Sequence, residues 1–343
     1  MRCLLKVFSL VPNTYQNISL RVFCRVYLIL PLVLILGACS PGEPQSPLIA
    51  NSAMPEISPP PTNSPIPPFP SATTLSFPST TPSITPSPQP SFTLTFTPSP
   101  ANEICWRQGG RIETDQIRTG LLRLPLEFRV YLPPCYDQHQ SHRFPVLYLI
   151  HGQNYNDDQW DRLGVDEIAD ELIATGEVPP FIVIMPRDRV WSQPSEDKFG
   201  QAVMEALLPL IDTNYRTLAE RRYRAVGGLS RGAGWAVHLG LSHWESFGAI
   251  GAHSLPVFYS DLPFIKKWLD SIPPDSLPRI YLDLGDKDRF QITRSAEWFE
   301  ALLTQKNIPH EWHLYPGYHE EAYWQAHLEE YLRWYGEGWK DNP

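Results

Sequence analysis

Cysteine is scarce in these 343 residues, basic charge is in deficit, and no apolar run is long enough to cross a bilayer. Three of the five cysteines (Cys3, Cys24, Cys39) lie at or before residue 39, and none stands at the spacing of a metal-ligand cluster. Nothing in the sequence calls for a metal or an organic cofactor. Lys and Arg total 28 against 37 Asp and Glu. Residues 1–102 hold four of the basic and two of the acidic residues, which leaves 24 against 35, a net −11, in 103–343. An acidic domain lacks the footprint that nucleic acid or anionic lipid requires, so nucleic acid is not the partner.

What is present is organised in three stretches. Residues 1–25 carry only positive charge, and 26–36 are apolar without a break. That run spans about 17 Å as a helix, against about 30 Å of bilayer core, and is the length of a signal-peptide h-region. Leu36-Gly37-Ala38-Cys39-Ser40 follows. It resembles the bacterial lipobox, which implies a signal peptide over 1–38 and lipid on Cys39. The protein is then exported and held on the cell membrane, facing away from the cytoplasm, by more than one acyl chain. Residues 39–102 form a tether; in 41–100, eighteen residues are Pro and twenty are Ser or Thr. Such a segment buries too little apolar surface to offset its ordering entropy and favours an extended, disordered chain.

Residues 103–343 have the composition of one α/β domain. Strand-like runs (Phe144–Ile150, Phe181–Met185, Arg222–Gly227, Phe247–Ala252, Arg279–Leu284, Glu311–Tyr315) alternate with helical ones (Val165–Thr175, Phe199–Asp212, Arg231–Leu241, Thr293–Gln305, Glu320–Tyr335). Short apolar strands between amphipathic helices predict a mostly parallel sheet covered on both faces. Arg111–Ile117 and Leu126–Leu132 flank a Gly-containing turn and predict an N-terminal antiparallel hairpin. A hairpin brings its two ends together, and export favours oxidation, so a Cys105–Cys135 disulfide is expected.

The chemistry starts at Gly228-Leu229-Ser230-Arg231-Gly232. An apolar strand runs directly in and a helical pattern directly out, the context of a nucleophile elbow in an α/β-hydrolase. A serine hydroxyl needs a base, and the base an orienting acid, in the chain order Ser, Asp or Glu, His. His319 follows the last strand and precedes the last helix, where a loop can carry an imidazole over the sheet. Asp286 and Asp288 share the loop after the Arg279–Leu284 strand; Asp288 is preferred and Asp286 is the alternative. The oxyanion hole needs two preorganised N–H donors. Arg231 supplies one from its backbone; Gln153, after Leu149-Ile150-His151-Gly152, is chosen for the other, with Gly152 letting backbone approach the substrate. Trp160, Trp191 and His253 are candidate substrate contacts, Trp191 from a long segment, Arg187–Lys198, at the pocket rim.

At these residues the sequence resembles the esterase family that includes feruloyl and acetylxylan esterases, enterochelin esterases, S-formylglutathione hydrolases and mycolyltransferases. The resemblance rests on Leu149-Ile150-His151-Gly152 with Asp158-Gln159-Trp160, on Ile168-Ala169-Asp170-Glu171-Leu172-Ile173, and on Leu208 to Tyr215. Gly228-Leu229-Ser230, the Gly285-to-Asp288 turn and Gly317-Tyr318-His319 complete it. It implies Ser230, Asp288 and His319 as triad, no cofactor, and an ester substrate of small-molecule or polysaccharide type such as a feruloyl or acetyl ester. Arg231 departs from the family, which often has Met or Gln there, and Ala233 stands where Gly is frequent. The Arg231 guanidinium either pairs with an acidic neighbour or meets an anionic substrate group. Acyl transfer shares the same chemistry up to the acyl-enzyme, and a non-catalytic surface binding module is the reading from another class.

Overall fold

Five consecutive apolar residues, Val146–Ile150, show how the sheet is built. Val146, Tyr148 and Ile150 enter one apolar layer and Leu147 and Leu149 the other, and all five are buried. Only a strand covered on both faces alternates in this way. A computed structural model describes residues 105–340; the signal segment, Cys39 and the tether lie outside the described residues.

The strands are β1 (Arg111–Ile117), β2 (Leu126–Leu132), β3 (Val146–Ile150), β4 (Ile182–Pro186), β5 (Arg224–Leu229), β6 (Ala249–His253), β7 (Arg279–Gly285) and β8 (Glu311–Tyr315). They form one eight-stranded sheet in the order β1-β2-β4-β3-β5-β6-β7-β8. β1 and β2 pair antiparallel from Arg111↔Leu132 to Ile117↔Leu126, β2 runs antiparallel to β4, and the six strands β3 to β8 are mutually parallel. The helices are α1 (Gln159–Arg162), α2 (Val165–Ala174), α3 (Phe199–Ala202), α4 (Leu208–Asn214), α5 (Arg231–Ser242), α6 (Leu262–Ser271), α7 (Phe290–Gln305) and α8 (Glu321–Glu337). Residues of α5, α6 and α7 pack in one layer with Val146, Tyr148 and Ile150; residues of α2 and α8 pack in the other with Leu147 and Leu149.

The α8 layer is also fastened by a polar cluster. Tyr323 and Tyr331 each donate a hydroxyl to Asp283 Oδ2 at 2.7 Å, and His253 Nδ1 lies 2.5 Å from Asp283 Oδ1. Gly227 and Gly251 leave the space that the Tyr335 hydroxyl fills; a Cβ at either would overlap it. Burial and the Asp283 charge hold the Tyr331 hydroxyl protonated, well above its ordinary range.

Several bounds shift by one to three residues, and three differences from the sequence reading are larger or have a local cause. β3 starts at Val146 rather than Phe144, because Pro145 has no N–H to give a ladder, and Phe144 makes only an isolated bridge to Thr217. The helix expected over Phe199–Asp212 contains a π-helical turn, Val203–Leu207, just before Pro209, which cannot donate to the carbonyl four residues back. α6 was not anticipated, although Leu262, Ile265, Trp268 and Leu269 recur at helical spacing; of its ten residues Ile265 and Leu269 are buried.

Candidate active site

β5 ends at Leu229 and α5 begins at Arg231, so Ser230 alone makes the turn. It does so at φ 52°, ψ −124°, a conformation that side chains seldom adopt. The two glycines of the pentapeptide make the turn possible. A Cβ on Gly228 would collide with the Gly232 carbonyl, and one on Gly232 would collide with the Ile150 carbonyl. Ser230 N–H donates to the His253 carbonyl at 2.8 Å, which ties the elbow to the end of β6.

The loop after β8 brings His319 to the elbow. His319 Nε2 lies 2.8 Å from Ser230 Oγ. On the other side of the ring, Nδ1 is 2.8 Å from Asp288 Oδ1, with the N–H angled outside hydrogen-bond geometry. In unliganded enzymes such contacts are often loosely aligned and tighten only in the complex. The Asp288 side chain is inaccessible to solvent. Asp286 is exposed and does something else: its Oδ1 accepts the Gly317 N–H at 2.9 Å, while its own N–H donates to the Tyr315 carbonyl. It joins the loop after β7 to the loop after β8. The rings of Trp324 and His319 meet edge to face at 5.0 Å, and the Trp324 indole N–H donates to Ser254 Oγ at 3.2 Å.

Ser230, His319 and Trp324 sit where the parallel strands end, around a cavity of 510 Å³. Gly152, Gln153, Ser230, Arg231 and His319 line it. The Gly152 N–H is already used, donating to Gln159 Oε1 at 2.8 Å, and Gln159 is held in turn by Glu321. The Gln153 and Arg231 N–H groups are engaged by no hydrogen bond among the described residues. The Arg231 side chain, in contrast, is engaged through two of its three nitrogens. Its Nε pairs with Asp188 at 2.7 Å, and its Nη2 donates to the carbonyls of Val190 and Ser192. Of the two roles open to this guanidinium, the structure places it with an acidic neighbour.

Three candidate substrate contacts fall elsewhere. Trp160 is buried, and its indole N–H donates to the Ile150 carbonyl at 3.1 Å; it braces β3 and does not face the cavity. His253 is the last residue of β6, fully buried and paired with Asp283 on the α8 side of the sheet. Trp191 is 65% exposed and is not among the cavity-lining residues, because the Arg231 contacts hold its segment by the backbone on either side of it. Trp324, Pro256, Arg289 and Ile292 line the cavity and were not singled out in the sequence. Pro256 lies after β6 and the others lie in or beside helices, so no local pattern marks them.

Cys105 and Cys135 are joined, with Cα atoms 5.1 Å apart. Together with His139 they form the one group of potential metal donors in mutual reach among the described residues. Two of its three donors are bonded to each other, which leaves no thiolate to bind an ion.

Comparison with known proteins gives the family and the fold. Residues 122–335 match the family model described as "Putative esterase". A protein of Xylanibacter ruminicola named endo-1,4-beta-xylanase/feruloyl esterase is 31% identical over 188 residues, covering 50% of this chain and 24% of that one. Esterase Rv1288 of Mycobacterium tuberculosis is 30% identical over 167 residues, 46% of this chain and 34% of that one. The matched region thus spans a quarter to a third of these longer relatives. Among solved structures, a ferulic acid esterase superposes with TM-score 0.60 at 24% identity, covering 67% of this chain and 98% of the other. The S-formylglutathione hydrolase of Staphylococcus aureus does so with TM-score 0.53 at 16% identity, covering 66% and 98%. These likenesses establish the α/β-hydrolase fold, and the family match over more than half of the sequence shows that the chain belongs to the esterase family.

Proposed function

We propose that this member of the esterase family is an ester hydrolase, an exported serine esterase whose nucleophile is Ser230. The observation that carries the reading is the 2.8 Å approach of His319 Nε2 to Ser230 Oγ, with Asp288 on the far side of the same imidazole. Ser230 Oγ attacks the ester carbonyl as His319 takes its proton. Asp288 orients the ring and stabilises the imidazolium that forms. The oxyanion is received by the N–H groups of Gln153 and Arg231. His319 returns the proton to the leaving alkoxide, and a water activated by the same ring then releases the acid and restores Ser230. No step requires a metal or an organic cofactor.

The acyl group is proposed to be a feruloyl or acetyl unit carried on plant polysaccharide. A relative named as xylanase and feruloyl esterase supports this. The lipobox-like Cys39 and the Cys105–Cys135 bond support a location outside the cytoplasm, anchored to the membrane through lipid. Methyl ferulate, acetylated xylan, enterobactin and 4-nitrophenyl butyrate, offered side by side, test the substrate. Preference for enterobactin would redirect it. Product partition between water and an added sugar acceptor separates hydrolysis from acyl transfer, and only sugar esters forming would replace the first with the second.

A further inference from the structure

The geometry points to His151 and Asp188 as positioning residues that hold both N–H donors of the oxyanion hole; the inference rests on the serine-esterase reading above. Asp188 lies just after β4, and its two ends reach in opposite directions. Its backbone N–H meets His151 Nε2 at 2.9 Å. A backbone N–H only donates, so Nε2 is the bare nitrogen and the ring proton sits on Nδ1. That proton is donated to the Gly152 carbonyl, 2.7 Å away. Burial, the leading influence on this ring, favours the same neutral form by pushing its pKa down.

The Gly152 carbonyl belongs to the same peptide group as the Gln153 N–H. In a trans peptide the two point in opposite directions. Fixing the oxygen therefore fixes the direction of the N–H, and charge drawn onto the oxygen strengthens the donor. Tyr155 N–H donates to the same oxygen at 3.2 Å and adds to the effect.

The carboxylate of Asp188 serves the second donor. Its Oδ2 receives Arg231 Nε at 2.7 Å and the Trp235 indole N–H at 2.8 Å. Asp197 stands 3.7 Å from the same guanidinium. Arg231 and Trp235 are one helical turn apart on α5, so Asp188 grips the first turn of the helix whose leading N–H is the second donor. Asp188 and the Arg231 side chain are both buried. One residue thus sets the distance between two donors that the chain supplies 78 residues apart.

The test compares 4-nitrophenyl butyrate with its thiono counterpart, in which C=S replaces C=O. A preorganised oxyanion hole favours oxygen over the larger, weaker acceptor sulfur, so the ratio of the two kcat/KM values reads the hole and not the fold. His151→Phe removes both ring hydrogen bonds at similar volume. It is expected to lower kcat for the oxo ester about 10- to 100-fold, a part of what losing a whole donor costs, with the thiono ester losing less than about threefold and the ratio collapsing accordingly. His151→Gln, which again carries a donor and an acceptor, is expected to recover part of the ratio. Asp188→Asn reaches the hole through Arg231 without touching the imidazole and is expected to lower the ratio as well, so the inference remains testable if one variant fails to fold. An unchanged ratio in the folded variants, or equal loss on both esters, overturns it. Wild-type protein that hydrolyses neither ester, or hydrolysis that survives Ser230→Ala, defeats the serine-esterase reading instead.

Discussion

Asp286 and Asp288 are the same residue type, two positions apart in one loop, and their surroundings separate them. Asp288 is closed off from solvent against His319, whereas Asp286 is exposed and accepts the Gly317 N–H. Asp288→Asn is therefore expected to lower kcat by about 10³- to 10⁴-fold, the scale seen when a triad acid is replaced by its amide. Asp286→Ala is expected to change kcat less than about tenfold and to lower stability by about 1 kcal/mol, the net worth of one hydrogen bond. Steady-state kinetics and urea unfolding of the two variants check this; comparable kcat losses would assign the acid differently. The sequence narrowed the acid to these two residues and favoured Asp288; the third dimension adds the difference in their surroundings. The same holds for Arg231, whose partner Asp188 is 43 residues away. Ser230 and His319 were legible because each is marked locally, one by the glycines its turn demands and the other by its place between the last strand and the last helix. Trp160 and His253 were misplaced for the converse reason: aromatic rings beside a motif fill the core as readily as a pocket, and position along the chain does not say which side of the sheet a residue faces.

Among the elements, periodicity carried the alternation of strands and helices and the hairpin, whose strands are Arg111–Ile117 and Leu126–Leu132 as the pattern predicts. It failed where proline interrupts a pattern, at Pro145 and Pro209; α6, whose apolar residues do recur at helical spacing, was passed over. Helix α2 offers a test of its own. The Asp166 carboxyl in its first turn is pushed up to about 7 by burial and then by Glu167 and Asp161. An acid whose folded pKa is raised holds its proton in the folded state after the unfolded chain has lost it. Stability therefore falls as pH rises from about 4 toward 7, and the cost is complete above that. Asp166→Asn is expected to raise Tm at pH 8 and to leave it nearly unchanged at pH 4. Thermal melts at both values decide the matter, and a gain of equal size at both would contradict burial of the carboxylate as the cause.

For the molecule as a whole, one covalent feature is part of the fold and a second is proposed. The Cys105–Cys135 bond closes a loop with a sequence separation of 30. Loop-closure entropy for that length is about 3.5 kcal/mol, so Cys135→Ser is expected to lower unfolding stability by roughly that amount. Denaturant titration measures it, and an unchanged midpoint would mean the thiols are free in the folded protein. Cys39→Ala is expected to release the protein from the membrane fraction if lipid on that residue holds it there; retention in the membrane would refute the lipobox reading. Neither change touches the site itself, where strands β3, β5 and β8 end together and deliver Gln153, Ser230 and His319 to one cavity, with Asp288, from the loop after β7, behind the His319 ring. Everything proposed for that cavity depends on Ser230 performing the chemistry. Hydrolysis of 4-nitrophenyl butyrate by wild type and by Ser230→Ala puts this to the proof: turnover by the first and its loss in the second are expected, and equal rates would contradict the assignment.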